Sequence, residues 1–556
     1  MVAGSVSQTY TYNNQNLLLS EALSIPGRSA PVSFHYEYTD LKYRSAITYP
    51  DNEKVSFYPN AFGQPTKVSR LTYHYANNVQ YHPSGSVSSF AYGNGILHTT
   101  TIDANTNLPN VVKDMNGSSR VLYLDYAFDH NANVKSIIDG QNSAYSITSM
   151  TYDGLDRLIA TAGNSGIGST ALQYDSMGNI TYFSSKNRTL DYTYNYSNNR
   201  LTSVSSKGAE AKSYANFDYD DAGNVTNNSH IAMSYNLANQ MTNADGNTYL
   251  YDGFNRRVKT NSDEFSAYSQ DGQLLYRQDG TEHIQYMYLG SRLVAKKKNS
   301  VITSVHTDLL GSAVAETSTS RALIDPRQYY KAFGDTVSAT KDDVGYTGHK
   351  FDANIGLSYM QARYYDPVIG RFYSNDPMDF LLHMEKGTGI MGFNRFAYGN
   401  NNPYKYTDPT GMYPEEDLEP MAQEQVMFAE ALGYDNPDVA QDGLAQTGND
   451  MVEAATPSRE TLHTAGTATA VGLTVLAVTT PCTAACAGGA TAIGTLQAAD
   501  HFTQGNNVDG VLSIVPFAAG KSLQLGIKAS KEITKSQIGA IGDVTTTGVI
   551  ELNKER

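Results

Sequence analysis

The stretch from Tyr346 to Met412 concentrates the acidic and arginine side chains that could hydrolyse a peptide bond. Arg363 lies close in sequence to Asp366 and Asp376, and Asp352 precedes them. Two carboxylates with separated pKa values can supply a general base and a general acid. An arginine can hold a carboxylate ionised or polarise a carbonyl. Aspartates that precede proline also form turns, and arginines also pair with buried carboxylates, so both interpretations stay open.

Other kinds of site find little support in the sequence. His306 stands alone, and we interpret it as a structural turn residue rather than a catalyst. We find no second His or Cys at metal-ligand spacing near it, so the sequence predicts no metal and no cofactor. The net charge of -15 argues against general nucleic-acid binding, because phosphate neutralisation needs a basic face.

A tyrosine-rich repeat with a period of roughly 20 residues precedes this stretch and must position it. Its common form is Tyr-Asp, two residues, Gly or Asn, a polar residue and an aliphatic residue. The tyrosine ends a strand, the Asp, Asn and Gly positions suit a hairpin turn, and the aliphatic residue begins the return strand. Stacked hairpins can bury a face that one hairpin cannot. The clearest copies begin at Tyr58, Tyr152, Tyr174, Tyr219 and Tyr251.

The repeats resemble the YD repeats of the RHS family, and the later stretch resembles the RHS repeat-associated core. The core resemblance rests on blocks in the right order, which begin at Asp352, Ala362, Gly370, Asn401 and Asp408. The family includes polymorphic toxins and is related to the C component of insecticidal toxin complexes and to teneurin YD shells. It implies a mainly β fold, in which a spiral shell of β-hairpins is closed by the core domain. About 270 residues of repeats are few for a whole shell, so we expect a partial one.

Many family members cut their own chain after an Asp-Pro-x-Gly-Leu motif. The matching residues here are Asp408, Pro409, Thr410, Gly411 and Met412, so the resemblance places the scissile bond between Met412 and Tyr413.

The family's catalytic arginine and aspartate map onto Arg363 and Asp376. For the second carboxylate the nearest candidates are Asp366 and Asp352, with Asp366 preferred for its proximity in sequence. The enzyme implied is a single-turnover, aspartyl-type autoprotease.

The composition changes abruptly after Met412. Residues 413–463 hold 12 Asp and Glu against one Arg, a net charge of 1 − 12 = −11, which is typical of an acidic linker or a helical segment. Residues 464–556 are predicted to contain an Ala/Gly-rich α-helical hairpin and a variable, cargo-like end. The uncharged run 464–499 leaves membrane contact and a buried hairpin as equal alternatives. We therefore divide the chain into repeats 1–270, core 271–412 and these two tail segments.

Two functions from different classes follow. The first is a polymorphic toxin, or its C-terminal portion, whose shell encloses the tail and releases it for delivery to another cell. Its partners would be the enclosed tail, an immunity protein and a secretion-system or N-terminal delivery component. The alternative is a cell-surface or secreted protein that binds carbohydrate or protein and carries no active cargo. The first residues show no classical signal peptide and already look like mid-array repeats. We therefore expect a secreted or surface protein, exported by another route, that is the end of a longer chain.

Overall fold

The computed structural model describes residues 2–3, 6–377 and 394–412, and the backbone of six strands beyond them. Two compact units divide the chain, Met1–Glu424 and Gln425–Arg556. In the part of the first unit that the structure describes, nearly all regular structure is β. The 3-10 turns described there are Ser143–Tyr145, Ala332–Gly334, Tyr346–Gly348 and Gly399–Asn401.

A continuous antiparallel sheet of 19 strands forms the first half of this unit, with each strand paired to the next along the chain. The strands are β1 (Val2–Ala3), β2 (Val6–Tyr12), β3 (Leu18–Ser24), β4 (Val32–Tyr38), β5 (Arg44–Thr48), β6 (Lys54–Ser56), β7 (Val68–Arg70), β8 (Tyr73–Tyr81), β9 (Val87–Tyr92), β10 (Leu97–Ile102), β11 (Pro109–Asn116), β12 (Ser119–Phe128), β13 (Val134–Asp139), β14 (Ile147–Tyr152), β15 (Leu158–Gly163), β16 (Thr170–Tyr174), β17 (Ile180–Ser185), β18 (Arg188–Asn195) and β19 (Arg200–Lys207).

Further antiparallel sheets continue the array. A pair, β20 (Asp218–Tyr219) and β21 (Val225–Asn227), precedes a sheet of ten strands. The ten are β22 (Met233–Tyr235), β23 (Met241–Ala244), β24 (Asn247–Tyr251), β25 (Arg257–Thr260), β26 (Glu264–Tyr268), β27 (Leu274–Asp279), β28 (Glu282–Leu289), β29 (Arg292–Lys298), β30 (Val301–Thr307) and β31 (Ala313–Ser318). This sheet runs without a break across residue 270, the boundary drawn from the sequence.

The closing module comprises a four-stranded sheet and a short pair. Its strands are β32 (Lys350–Asp352), β33 (Leu357–Met360), β34 (Arg363–Asp366), β35 (Arg371–Phe372), β36 (Tyr406–Thr407) and β37 (Glu415–Glu416).

The turns of the repeats are built as the sequence pattern predicts. In the repeat that begins at Tyr174, the Asp175 carboxylate accepts hydrogen bonds from the backbone N–H groups of Met177 and Asn179, both at 2.9 Å. The equivalent aspartate accepts the same kind of backbone hydrogen bond in four other turns, at Asp129, Asp153, Asp220 and Asp252. Gly178 has a φ of 76°, a left-handed conformation that a glycine adopts without steric cost.

The tyrosines connect each repeat to the one before it. The hydroxyl of Tyr174 donates to the carbonyl of Leu158 at 2.6 Å, and Leu158 is the aliphatic residue that opens the preceding return strand. The same bond recurs along the array, from Tyr152 to Val134, Tyr194 to Ile180, Tyr219 to Leu201, Tyr251 to Met241 and Tyr288 to Leu274. Through these six tyrosines, a repeat completes the hydrogen bonding of the one before it.

Two hydrophobic cores hold the unit together. One core joins strands β2–β9 to strands β25–β31. Tyr49 links these two groups of strands, because its hydroxyl donates to the carbonyl of Tyr286 at 2.8 Å. The other joins β11–β24 to the closing module, through buried residues such as Phe183, Phe333 and Tyr365.

His306 lies at the end of β30 and is fully buried. Its Nδ1 lies 2.7 Å from the carboxylate of Asp114 in β11, and that carboxylate also lies 2.7 Å from Nδ1 of His98 in β10. Burial acts to raise the pKa of Asp114, but the two imidazoles hold that pKa below its ordinary value. Burial lowers the pKa of His98. This placement agrees with a structural role for His306, but the residue lies in a strand and not in the predicted turn.

The second unit has one described sheet of five strands. They are β38 (Gly472–Val478), β39 (Ile493–Ala499), β40 (Val508–Pro516), β41 (Leu523–Ala529) and β42 (Ile550–Glu551), and only the last pairing is parallel. Within the described parts of 464–499 the structure therefore has strands where the sequence predicted a helical hairpin. Val, Leu and Thr in Gly472–Val478 suit a pleated surface. The rest of the predicted hairpin lies outside the described residues. Among the described residues, no helix has the length and apolarity to span a membrane.

Removing one tyrosine hydroxyl tests its contribution to the array. Tyr174→Phe should lower the free energy of unfolding by about 1 kcal/mol, because it leaves the partly buried carbonyl of Leu158 without this donor. Tyr196→Phe is the matched control, since this side chain is 69% exposed. Thermal unfolding and limited proteolysis of the two variants measure the difference. Equal loss in both variants would contradict the proposed contribution of this bond.

Candidate functional site

Arg363 opens β34, in the middle of the closing sheet. Its side chain is almost fully buried, and its guanidinium carbon lies 3.6 Å from the centre of the Phe372 ring, on the neighbouring strand. Planar guanidinium groups stack on aromatic faces and keep their N–H groups free in the plane for acceptors. The ring therefore sets the orientation of the Arg363 fork.

The fork of Arg363 brings two carboxylates together. Its Nη2 lies 3.0 Å from Oδ2 of Asp376 and 2.9 Å from Oδ2 of Asp408. Its Nη1 donates to the carbonyl of Arg395 at 3.1 Å, and its Nε donates to the carbonyl of Gly411. One buried cation thus contacts both acids and the backbone just before the predicted scissile bond.

Asp408 is the carboxyl group best suited to carry a proton at neutral pH. Burial, aided by the negative charge of Asp376, raises its pKa to about 7, although Arg363 acts in the opposite direction. Its Oδ1 accepts a hydrogen bond from the backbone N–H of Met412 at 2.9 Å. The aspartate of the Asp-Pro motif therefore contacts both the arginine and the residue that precedes the predicted cut.

Gly411 lets the motif approach β33 and β34 closely. Its φ is 72°, and a Cβ atom at this position would lie 2.0 Å from the carbonyl oxygen of Met360. The N–H of Ala362 donates to the carbonyl of Thr410 at 3.0 Å in the same contact. A glycine is required here for both its backbone conformation and its size.

The structure brings together most of the residues predicted from the sequence. Arg363, Asp376, Asp408, Gly411 and Met412 lie in one cluster. Pro409 lies beside it, and its carbonyl accepts from the Gln361 amide at 3.0 Å. Tyr413, on the far side of the predicted bond, lies outside the described residues.

Asp366 is not brought to this cluster. Its carboxylate accepts hydrogen bonds from the hydroxyls of Tyr214 at 2.8 Å and Tyr373 at 2.7 Å, and from the N–H of Val368 at 2.8 Å. Side chains alternate across a strand, so residues three apart in β34 point to opposite faces. Asp366 therefore lies apart from the Arg363 cluster, although it is close to Arg363 in sequence.

Asp352, the other candidate, is bound elsewhere too. It forms a two-pronged ion pair with the buried Arg257 of β25, and Lys350 lies 3.1 Å from its Oδ1. The two cations hold its pKa at about 2 against the effect of burial. Asp352 thus ties the closing module to the shell.

Asp408 is the second carboxylate in contact with Arg363, and the sequence analysis gave it no catalytic role. It was named only as part of the cleavage motif, 45 residues beyond Arg363 in the chain (408 − 363). The signal that identifies it is the motif itself, since a residue four positions before the predicted bond can fold back onto it. Among the described residues, no group of three His, Cys, Asp or Glu side chains could hold a metal ion.

Comparisons with known proteins agree with this architecture. Residues 90–304 match the teneurin YD-shell family model. The tRNA3(Ser)-specific nuclease WapA of Bacillus spizizenii is 26% identical over 314 residues, which are 55% of this chain and 11% of that protein. Toxin subunit YenC1 of Yersinia entomophaga is 32% identical over 142 residues, 24% of this chain and 14% of that one. The chain thus spans a small part of the curated relatives it matches.

A crystal structure of TcdB2-TccC3-Cdc42 has the same fold. It superposes with a TM-score of 0.56 over 75% of this chain and 24% of that chain, at 17% identity. The hairpin array, its turns and its closing module define a β-shell protein of the YD-repeat class. The chain is therefore similar to RHS/YD-repeat, toxin-related proteins.

The close approach at Gly411 can be tested by adding a methyl group. Gly411→Ala should destabilise the closing module by several kcal/mol, because the new Cβ would overlap the Met360 carbonyl. Gly117→Ala is the matched control, since Gly117 also has a positive φ, 60°, but nothing within 4 Å of the added atom. It should cost about 1 kcal/mol for the backbone conformation alone. Thermal unfolding compares them, and equal shifts would contradict the close approach.

Proposed function

We propose that this chain is a toxin-related β-shell that cuts itself once, between Met412 and Tyr413, and releases the segment that follows. The observation that carries the proposal is the contact of one buried arginine, Arg363, with Asp376, with Asp408 and with the carbonyl of Gly411. Two carboxyl groups that share a cation beside a peptide are the arrangement needed for acid-base hydrolysis.

In the proposed reaction, Asp376 is the base and Asp408 the acid. Asp376 takes a proton from water, and the water oxygen attacks the carbonyl carbon of Met412. Arg363 stabilises the negative charge that develops at this end of the motif. Protonated Asp408 then gives its proton to the nitrogen of Tyr413 as the C–N bond breaks. The products are a carboxylic acid at Met412 and an amine at Tyr413, and the acid then gives its proton to the amine.

The released segment is proposed to be the active part. It has 556 − 412 = 144 residues, and the composition changes where it begins. The relatives include a tRNA nuclease and a toxin subunit by name. By analogy, we infer that the shell acts outside the producing cell, with an immunity protein and a delivery component as its partners.

Substitution of the two acids tests self-cleavage. The purified wild-type chain should yield two species that together equal the full mass, split after Met412. Asp376→Asn and Asp408→Asn should each slow the split at least a hundredfold, because each removes one proton transfer. Arg363→Lys should also slow it, since an ammonium cannot replace the fork that contacts both acids. Intact-mass spectrometry over time measures all four proteins.

Asp139→Asn provides the matched control. Asp139 forms an equally buried pair with Arg327 at 2.9 Å, in another part of the unit. Its loss should lower stability but leave the cleavage rate within a few fold of wild type. A wild-type chain that stays full length under conditions in which it is folded would refute the proposal.

The pH dependence tests the role of Asp408. Since its pKa is raised to about 7, the proton that it donates is present below pH 7 and lost above it. The cleavage rate should therefore fall about tenfold per pH unit once the pH rises beyond about 8. Rates measured between pH 6 and 10 by intact mass check this. A rate that rises throughout the range would contradict an acid role for Asp408.

A further inference from the structure

The cleavage motif is held along its length by three consecutive residues, two in the turn between β33 and β34 and the third at the start of β34. The amide of Gln361 donates to the carbonyl of Pro409 at 3.0 Å, and the N–H of Ala362 donates to that of Thr410 at 3.0 Å. Arg363 donates from Nε to the next carbonyl, that of Gly411. The motif is thus aligned residue by residue with the strand that carries the arginine.

His349 adds a second donor at the carbonyl of Pro409. Its Nε2 lies 3.2 Å from this oxygen, which can only accept, so Nε2 carries the proton. Its Nδ1 lies 3.1 Å from the hydroxyl of Thr347 and then accepts from it. Burial lowers the pKa of His349 to about 4, in agreement with a neutral ring. Both lone pairs of the Pro409 carbonyl are therefore occupied.

Gln361 also links this contact to the shell. Its backbone has a φ of 54°, in the left-handed region that glutamine rarely adopts. Its amide lies 3.1 Å from the carbonyl of Gly272, in the turn between β26 and β27. The side chain of this one residue, whose backbone is strained, thus contacts both a shell turn and the cleavage motif.

We propose that Gln361 and His349 are positioning residues that select the peptide bond to be cut. They hold the Pro409 carbonyl, so that the chain three residues on meets Arg363 and the two acids in one register. Because Gln361 also contacts Gly272, the register depends on a completed shell turn. This inference rests on the self-cleavage proposed above.

Removal of each donor tests the proposal. Gln361→Met and His349→Leu keep side-chain volume and lose the hydrogen bond to Pro409. Each should slow cleavage about tenfold, and the double variant about a hundredfold or with a shifted cleavage site. His349→Gln retains an amide donor and should restore the rate to within about threefold of wild type. Intact-mass time courses report both the rate and the bond that is cut.

Controls separate positioning from general stability. Gln328→Met removes a similar amide bond, to the Ala339 carbonyl at 2.9 Å, and should leave the rate unchanged. The rate of His349→Gln should keep the wild-type pH profile, since the imidazole exchanges no proton in the reaction.

Two results would overturn the inference while leaving self-cleavage intact. One is a double variant that cuts after Met412 at the wild-type rate. The other is a His349→Gln variant as slow as His349→Leu, with an altered pH profile. A wild-type chain that never splits would instead refute the proposed function itself.

Discussion

The recurring bond from a tyrosine hydroxyl to the preceding repeat is the interaction on which the array depends. A single hairpin in water is marginally stable, and this bond adds a contact between units that the sheet ladder alone does not supply. A second row of bonds runs through the turns. The amide of Asn179 donates to its own Asp175 at 2.9 Å and to Asn199 of the next turn at 2.7 Å. Strand and turn both reach beyond their own repeat.

That turn row also explains how the closing module is held. Once its N–H₂ donors are used within the array, Asn179 still offers its amide oxygen, which accepts from Arg371 at 3.0 Å and from Asn394 at 3.1 Å. Asn133 likewise accepts from Asn402 at 2.8 Å. The turn asparagines Asn179 and Asn133 therefore both link neighbouring repeats and bind the closing module. The module that carries Arg363 is placed against the array by the chemistry that builds the array.

The local parts of the fold were predictable because their causes lie within a few residues. Tyr-Asp followed by Gly and Asn specifies a turn through bonds of four residues or fewer, as at Asp175. Contacts across the sheets were not predictable in this way. The pair Arg257–Asp352 and the cluster of His98, Asp114 and His306 join residues far apart in sequence. No periodicity encodes such partners, because they depend on how the sheets pack.

The candidate site divides along the same line. The resemblance supplied Arg363 and Asp376, and the structure places both against one another. Asp366 was preferred over Asp352 on proximity in sequence, although strand alternation already turns it away from Arg363. Asp408 reaches the arginine only because the Asp-Pro motif folds back and Gly411 permits contact with the Met360 carbonyl. The contact between Asp408 and Arg363 therefore depends on a close backbone approach, and the N–H of Met412 donates to Asp408 in the same place.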